Sequence, residues 1–366
     1  MPSLFDPFTL RDVTLRNRVG VSPMCQYSAH EGLANDWHFV HLGSRAVGGA
    51  GLVMVEATAV EARGRISPQD MGIWSDAHVE PLARIARFVG DAGAVAGIQL
   101  AHAGRKASTT RPWDGDRPLP DAEGGWPVLA PSAVPFQDGW RVPAAMAGDD
   151  IATVAAAFRA AAARALRAGF RWIELHAAHG YLCHSFYSPL SNRRDDRYGG
   201  SFDNRIRFTL EALRAIRAEW PERLPVSVRL SCTDWTDGGW TIDDSVALAR
   251  RLADEGADLI DCSSGGNVLA KIPAAAGYQV PFAEAVKRQT GIPTAAVGMI
   301  TDPMQADQIV RNGQADLVLL AREELRDPYW PIHAARALGQ LEKVTVPPQY
   351  GRAFAGARSP GIRGQA

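Results

Sequence analysis

The feature that most constrains the fold is a regular alternation of short apolar segments with longer segments of helical periodicity. The short segments are apolar on both faces, which is typical of parallel strands that are covered by helices. Eight of them occur along the chain, at residues 20–24, 52–60, 95–102, 172–176, 226–230, 259–263, 294–297 and 317–321. Eight strand–helix units favour an α/β fold of the TIM (β/α)8 barrel type over an open doubly wound sheet, which requires no eightfold count.

Helix boundary signals agree with this alternation. Asp149 and Asp150 precede a segment of helical period and are predicted to cap its start, and Gly169 stands where the helix should end. Asp302 followed by Pro303 predicts another helix start, with the proline in the first helical position.

Two segments fall outside the repeat. Residues 8–19 predict a short N-terminal hairpin that covers the barrel floor, because apolar and charged residues alternate there. Residues 104–148, after the third strand, form a connection rich in Pro, Gly, Asp and Trp, and we expect this extended loop to cap the barrel mouth. Residues 1–350 are then one domain, and residues 351–366 form a tail that is either disordered or docks on a neighbouring subunit.

Composition excludes several classes of function. The 366-residue chain has a formal net charge of −1, which offers no basic surface for nucleic acid. It contains neither an apolar run of roughly 20 residues, as a membrane span requires, nor a recognisable signal peptide. Its four cysteines form no C-x-x-C pair, so neither a zinc nor an iron–sulfur site is indicated and reduced thiols are expected. We therefore expect a cytoplasmic protein without a bound metal.

Polar residues collect at the predicted C-terminal ends of the strands, where TIM barrels carry their active sites, whereas the strand middles are interpreted as apolar. Gly298 and Arg322 follow the seventh and eighth strands, which is typical of a phosphate-binding site. The other candidates at strand ends are Pro23, Met24, Cys25, Ala57, Gln99, His102, His176, His179 and Arg229.

His176 and His179 allow three interpretations. Together with His102 they could ligate a metal, as in a TIM-barrel hydrolase, although the glutamate of the zincin motif is missing. They could also be hydrogen-bonded structural residues. Alternatively, both donate N–H groups to a substrate oxygen, and Tyr181 supplies a phenolic proton, an arrangement that suits reduction of a double bond conjugated to a carbonyl.

A long motif at residues 188–201, SPLSNRRDDRYGGS, resembles the signature of the Old Yellow Enzyme family. The resemblance extends over nearly the whole chain, through FDPF at 5–8, SPMCQY at 22–27, QLAHAGRK at 99–106 and LRDP at 325–328. Cys25 with Tyr27, and the pair His176 and His179, are similar to the thermophilic-like subgroup of ene-reductases.

The resemblance implies an FMN held noncovalently at the barrel mouth. It places Cys25 near the reactive edge of the flavin and Arg229 beside N1 and O2, where a positive charge stabilises the reduced cofactor. Family members usually have glycine at the position of Ala321, a residue of the implied phosphate site. The full set of implied FMN-binding residues is Ser22, Pro23, Met24, Cys25, Ala57, Gln99, Arg229, Gly298, Ala321 and Arg322.

The resemblance also implies an NADPH dehydrogenase that uses NADPH or NADH to reduce activated alkenes, namely enones, enals, maleimides or nitroalkenes. His176 and His179 would bind the substrate oxygen, Tyr27 would line the pocket, and Tyr181 would protonate the α-carbon after hydride transfer from N5. Arg352 would reach a neighbouring active site in a homodimer or homotetramer. Two rivals are a dienoyl-CoA reductase, whose cysteine cluster is missing here, and a flavin-binding module without chemistry.

Overall fold

The computed structural model describes residues 1–354 and contains a closed barrel of eight parallel strands. The barrel closes where the last strand pairs with the first, with Val318 opposite Val19. This closure confirms the TIM barrel prediction and rules out the open sheet. In chain order the strands are β1 (Val19–Val21), β2 (Leu52–Ala59), β3 (Val95–Ala101), β4 (Trp172–Ala177), β5 (Val226–Ser231), β6 (Leu259–Ser263), β7 (Thr294–Ala296) and β8 (Leu317–Leu320).

Helices follow the strands in sequence and bury their apolar faces against the barrel. Short helices at Leu182–Tyr187 and Arg322–Arg326 come directly after β4 and β8. No helix in the described part of the chain combines the length and apolar character needed to cross a lipid bilayer. The longer helices are α1 (Asp36–Val47), α2 (Val79–Asp91), α3 (Gly148–Arg167), α4 (Phe202–Arg217), α5 (Ile242–Asp254), α6 (Val280–Thr290), α7 (Pro303–Arg311) and α8 (Trp330–Ala337).

The predicted start of α7 is confirmed, and that of α3 is wrong. The Asp302 side chain accepts a hydrogen bond from the backbone N–H of Gln305 and caps α7. In α3 the N-cap is Ala147, and Asp150 lies inside the first turn, where its carboxylate accepts the Ala147 N–H at 3.0 Å. An acidic residue in the third helical position can therefore cap a helix by accepting the backbone N–H of the residue that precedes the helix.

The N-terminal hairpin is present where it was expected. Residues Phe8–Leu10 pair in antiparallel register with Val13–Leu15. Arg16, directly after the hairpin, donates hydrogen bonds to the carbonyl oxygens of Ala50 and Ala92, which precede strands β2 and β3. These contacts place the hairpin at the N-terminal ends of the strands, on the barrel floor.

The long excursion after β3 is ordered and tied to the barrel. It contains short 3-10 turns and a two-stranded parallel sheet formed by Leu129–Ala130 and Ala144–Ala145. The buried guanidinium of Arg105 donates to the carbonyl oxygen of Val134 in the excursion and to that of Asn267, after β6. The excursion is therefore fixed over the C-terminal ends of the strands.

Candidate active site

A cavity of about 250 Å3 opens at the C-terminal ends of β5 to β8. It brings together four residues predicted from the sequence, Arg229, Gly298, Ala321 and Arg322, although they are spread over nearly a hundred positions. The other residues that line it are Ser263, Tyr278, Gln279, Val297, Met299, Ile300, Thr301, Leu319, Glu323 and Arg326. Cationic side chains beside exposed backbone at the ends of β7 and β8 are suited to an anionic group.

The backbone at Gly298 can adopt its shape only because the residue lacks a side chain. Its φ of +126° lies in the left-handed region, and a Cβ there would come within 2.9 Å of Gln279 Nε2. That amide is not free to move, since it donates to the carbonyl oxygen of Val297 at 2.9 Å. Ala321 has a negative φ of −105°, so this position does not require the left-handed conformation that favours glycine.

Arg229 reaches from the barrel interior towards the first strand. Its Nε lies 3.1 Å from the carboxylate of Asp261 but makes no hydrogen bond of good geometry within residues 1–354. Its Nη1 donates to Ser22 Oγ at 3.1 Å. A buried guanidinium with donors to spare fits the pyrimidine edge of a flavin, which offers acceptor atoms.

The segment after β1 is held in place by its neighbours. The Ser22 N–H donates to the carbonyl oxygen of Leu320 at 2.9 Å, and the Gln26 N–H donates to the buried carboxylate of Glu56 at 3.0 Å. Glu56 lies where the register between β2 and β3 shifts, an irregularity common beside active sites. Tyr27 has a left-handed φ of +49°, which turns the chain at the barrel mouth.

Pro23, Met24 and Cys25 are partly exposed at this mouth. Desolvation raises the pKa of the Cys25 thiol well above its ordinary value, and the nearby carboxylates of Asp70 and Glu56 raise it further. Cys25 is therefore a neutral thiol at physiological pH and not a thiolate nucleophile.

Ala57 and Gln99 face each other across the register of β2 and β3. Gln99 is buried, and its side-chain amide donates to Glu174 Oε1 at 2.9 Å. Ala57 and Tyr181 both line one small cleft. Gln99 lies opposite Glu174, on the strand that also carries His176.

One aromatic group is formed by His176, near the end of β4, and by His179 and Tyr181, which follow it. The His176 ring centroid lies 5.1 Å from that of His179 and 4.9 Å from that of Tyr181, both rings being perpendicular to it. Burial and the charge of Arg229 lower the pKa of both histidines well below its usual value, so both are neutral at physiological pH. Desolvation raises the pKa of the Tyr181 phenol, which therefore retains its proton.

Hydrogen bonds fix the position of the His176 proton and engage one ring nitrogen of His179. The Ala178 N–H donates to His176 Nδ1 at 3.2 Å, so the proton of His176 is on Nε2. His179 Nε2 lies 2.7 Å from Ser263 Oγ, and its backbone N–H donates to Ser231 Oγ at 2.9 Å. The contact with Ser263 occupies Nε2 of His179, which leaves Nδ1 as the ring nitrogen that can bind a ligand.

Within residues 1–354, the structure does not group His102, His176 and His179 as metal ligands. His102 Nε2 lies 2.8 Å from a carboxylate oxygen of Glu61, and its Nδ1 accepts the Gly104 N–H at 3.0 Å. Both ring nitrogens of His102 are thus engaged by Glu61 and Gly104, and neither contacts His176 or His179. Within residues 1–354, no group of three or more His, Cys, Asp or Glu side chains has a metal-binding arrangement.

The sequence prediction missed several residues of the site. The strand middles are not wholly apolar, since Glu174, Ser227 and Asp261 are buried inside the barrel. A single acidic residue in a short, largely apolar strand is the signal that could have found Glu174 and Asp261. Lys106 donates to the carbonyl oxygen of His179 at 2.9 Å, and Gln279 comes from a turn without a motif.

Arg352 lies in a short, exposed helix at Gly351–Phe354. Just before it, the hydroxyl of Tyr350 is 3.3 Å from that of Tyr329. The contact of Arg352 with a neighbouring subunit stays a prediction. Residues 355–366 of the predicted tail lie outside the described residues.

His184 holds the segment that carries Tyr181. Its Nδ1 accepts the Gly180 N–H at 2.9 Å, so its Nε2–H donates to Asp234, also at 2.9 Å. Both side chains are fully buried. We expect His184→Leu to lower the free energy of unfolding by about 2–4 kcal/mol, because it leaves a buried carboxylate short of a donor. Urea denaturation against the exposed-site control His30→Leu measures this, and equal stability of the two variants would contradict it.

Comparison with known proteins agrees with this geometry. The model of the NADH:flavin oxidoreductase / NADH oxidase family matches residues 3–340. The NADPH dehydrogenase of Geobacillus sp. (strain WCH70) is 50% identical over 353 residues, which are 96% of this chain and 98% of that protein. The NADPH dehydrogenase of Bacillus subtilis (strain 168) is 46% identical over 353 residues, with 96% and 99% coverage.

Solved structures give the same result. Morphinone reductase superposes with a TM-score of 0.77 at 27% identity, covering 92% of this chain and 90% of that one. A 2-naphthoyl-CoA reductase, at 23% identity and a TM-score of 0.84, shares the fold over 93% of this chain and 53% of its own. The chain therefore belongs to the NADH:flavin oxidoreductase / NADH oxidase family, the Old Yellow Enzyme family, and is an FMN-dependent oxidoreductase of the NADPH dehydrogenase type.

Proposed function

We propose that this protein is an ene-reductase that reduces the activated C=C bonds of enones, enals, maleimides or nitroalkenes. The observation that carries the proposal is the group of two neutral imidazoles and one protonated phenol formed by His176, His179 and Tyr181. Two neutral N–H donors suit a carbonyl or nitro oxygen, and a phenol that keeps its proton is a reservoir for carbon protonation.

The FMN would lie across the mouth, from the segment after β1 to the ends of β7 and β8. Gly298, Ala321 and Arg322 would hold its phosphate, since they line one cavity that combines open backbone with positive charge. When bound, FMN supplies the hydride acceptor for the nicotinamide and the hydride donor for the alkene. The residues that would contact its ring system are Ser22, Pro23, Met24, Cys25, Ala57, Gln99 and Arg229.

His176 and His179 would bind and polarise the substrate. The Nε2–H of His176 and the Nδ1–H of His179 would both donate to the same oxygen, which becomes more negative as hydride reaches the β-carbon. Because both imidazoles are neutral, they stabilise this developing charge without transferring a proton to the oxygen.

Tyr181 would deliver its phenolic proton to the α-carbon, and the phenolate would regain a proton from solvent. Lys106 is well placed to assist this step, since its Nζ lies 5.2 Å from the Tyr181 ring centroid. Tyr27 would form the opposite wall of the pocket, where Trp113 of the excursion packs edge-on against it at 5.8 Å. An aromatic wall favours flat, conjugated substrates.

We further propose that residues 1–350 act as a single FMN-binding domain and that copies assemble as a homodimer or homotetramer in the cytoplasm. Arg352 supports this, because an exposed arginine beside the paired tyrosines Tyr329 and Tyr350 can extend from one copy to the next. Mass measurement by light scattering tests the assembly, and a monomer at micromolar concentration would contradict it.

An anaerobic visible spectrum tests the whole proposal. We expect the purified protein to show oxidised flavin absorbance that bleaches with NADPH and returns when 2-cyclohexenone is added. Bleaching without recovery would leave an NADPH dehydrogenase but remove the alkene as substrate. Flavin absorbance that NADPH does not bleach would indicate a binding module without chemistry, and a colourless protein that takes up no added FMN would overturn the site assignment.

The phosphate site makes its own prediction. Arg322→Ala should weaken FMN binding by about 10- to 100-fold, because a charge-assisted hydrogen bond to the phosphate is lost. Quenching of FMN fluorescence on titration with apoprotein measures this affinity. Arg288→Ala, which removes an exposed arginine of α6, is the matched control. An unchanged affinity in Arg322→Ala would place the phosphate elsewhere.

A further inference from the structure

Two carboxylic acids are buried inside the barrel where apolar side chains would be expected. Glu174 lies on β4 and Asp261 on β6, with relative exposures of 1% and 0%. Arg229, on the intervening strand β5, is the basic group whose charge acts on both acids. This acid pair lies below the mouth, and neither carboxylate has a role in the mechanism proposed above.

The two carboxylates differ in their hydrogen bonds. Glu174 accepts from Gln99 Nε2 at 2.9 Å and from Ser227 Oγ at 3.0 Å. Asp261 has one oxygen 3.1 Å from Arg229 Nε, but neither of its oxygens has a hydrogen-bond donor of good geometry within residues 1–354. Glu174 is thus fixed by neutral donors, and Asp261 is stabilised chiefly by the charge of Arg229.

One arginine cannot neutralise two ionised carboxylates. If both were ionised, the three side chains would carry a net negative charge in a site without water access, which is strongly unfavourable. A single proton held by the pair makes the cluster neutral. Burial and the charge of Asp261 raise the pKa of Glu174 to about 8, against the opposing effects of Arg229, Ser227 and Gln99, and burial also raises the pKa of Asp261, so the pair retains one proton at neutral pH.

We propose that Glu174 and Asp261 share one proton and thereby set how strongly Arg229 and Gln99 stabilise negative charge at the pyrimidine end of bound FMN. Both acids are positioning residues, since they act through their neighbours. This inference rests on the proposed placement of FMN beside Arg229 and Gln99. It identifies the acid pair as an element that modulates the reduction potential through these two neighbours.

Each acid acts through a different neighbour. The negative charge of Asp261 offsets part of the positive charge of Arg229, so it limits the stabilisation that Arg229 gives to the flavin. Gln99 has one amide group, so the end that faces Glu174 determines which end is left for the flavin. An ionised Glu174 binds the NH2 end and leaves the carbonyl outward, whereas a protonated Glu174 can donate to the carbonyl and leave the NH2 outward.

Few other groups can titrate against this pair. His176 faces Arg229 from β4, but burial keeps its pKa well below the usual value, so it stays neutral. The remaining polar side chains that contact the cluster, Ser22, Gln99 and Ser227, do not ionise in the accessible pH range. Lys106, which binds the carbonyl oxygen of His179 at the mouth, also has its pKa lowered to about 8 by burial. The loss of an inflection near pH 8 in Glu174→Gln, and not the inflection alone, therefore assigns it to Glu174.

The reduction potential of the holoenzyme as a function of pH tests the proposal. In the wild type, the potential should fall more steeply with pH around 8, because reduction adds negative charge near Glu174 and promotes its protonation. Glu174→Gln should match the wild type at low pH and lose the steeper region. In the double variant Glu174→Gln/Asp261→Asn, Glu174 cannot ionise in place of Asp261. Compared with Glu174→Gln alone, this variant should favour the reduced cofactor by at least about tenfold, which is about 30 mV for a two-electron couple.

Two further measurements separate this inference from its alternatives. Asp307→Asn changes a buried acid whose carboxylate accepts the Leu4 N–H, away from the mouth, and should leave the potential unchanged. Infrared difference spectra of the wild type, reduced minus oxidised, should show a carboxylic acid band above pH 8, and this readout needs no variant. An identical pH dependence in Glu174→Gln and the wild type, or the lack of that band, would overturn the inference. Alkene turnover is not part of either readout, so failure of the ene-reductase proposal is recognised separately.

Discussion

Replacing Tyr181 with phenylalanine should slow reoxidation of the reduced enzyme by 2-cyclohexenone by about 10²- to 10⁴-fold, the usual contribution of a general acid. Reduction by NADPH should change little, because no proton from Tyr181 enters that half-reaction. The phenol hydroxyl is the only group removed, and the perpendicular packing of the ring on His176 can persist. Anaerobic stopped-flow absorbance measures the two half-reactions separately.

Tyr198→Phe is a matched control, because it removes a phenol hydroxyl bound to Glu211 on α4, outside the mouth. It should leave both half-reactions unchanged. Equal losses in the reductive and oxidative half-reactions of Tyr181→Phe would show that the residue supports the flavin and is not the acid.

Changing both His176 and His179 to alanine should weaken binding of a phenol inhibitor by about 10²- to 10⁴-fold, since two hydrogen bonds to a charged oxygen are lost. The long-wavelength charge-transfer band that a phenolate gives with oxidised flavin should disappear with it. Because the pKa values of both histidines are lowered by burial, wild-type affinity should show no inflection from histidine titration near pH 6.5.

His333→Ala is the control for this pair. His333 lies at the surface, where its Nδ1 contacts Asp327 at 2.7 Å, so its loss should not affect the ligand. A charge-transfer band of unchanged intensity in the double variant would assign the oxygen site to other residues.

The barrel could be predicted because its strands have no solvent-exposed face. Segments such as Leu259–Ser263 are buried on both faces, and the structure reproduces these bounds as predicted. The candidate residues could be predicted from the fold, since Gly298 and Arg322 stand at strand ends and this position does not depend on side-chain contacts. In these cases the local pattern and the global fold require the same residues.

The remaining parts of the site depend on register and on contacts between distant segments. Glu174 meets Gln99 only because β3 and β4 pair with these two residues opposite each other, and such a register leaves no pattern in one sequence. His102 stands at a strand end, as a site residue would, but its ring contacts Glu61 from another loop. A residue type at a suitable position thus predicts a location but not a partner.

The clamp made by Arg105 divides the excursion into two parts with different freedom to diverge. Residues 134–148 are tied to the loop after β6 through the buried guanidinium, so changes there propagate to the catalytic face. Residues 111–125 lie outside the clamp and are largely exposed, yet they carry Trp113, which packs on Tyr27. A library randomised over 111–125 should therefore yield altered substrate selectivity with cofactor retention intact, which makes this stretch an interchangeable module for evolution and engineering.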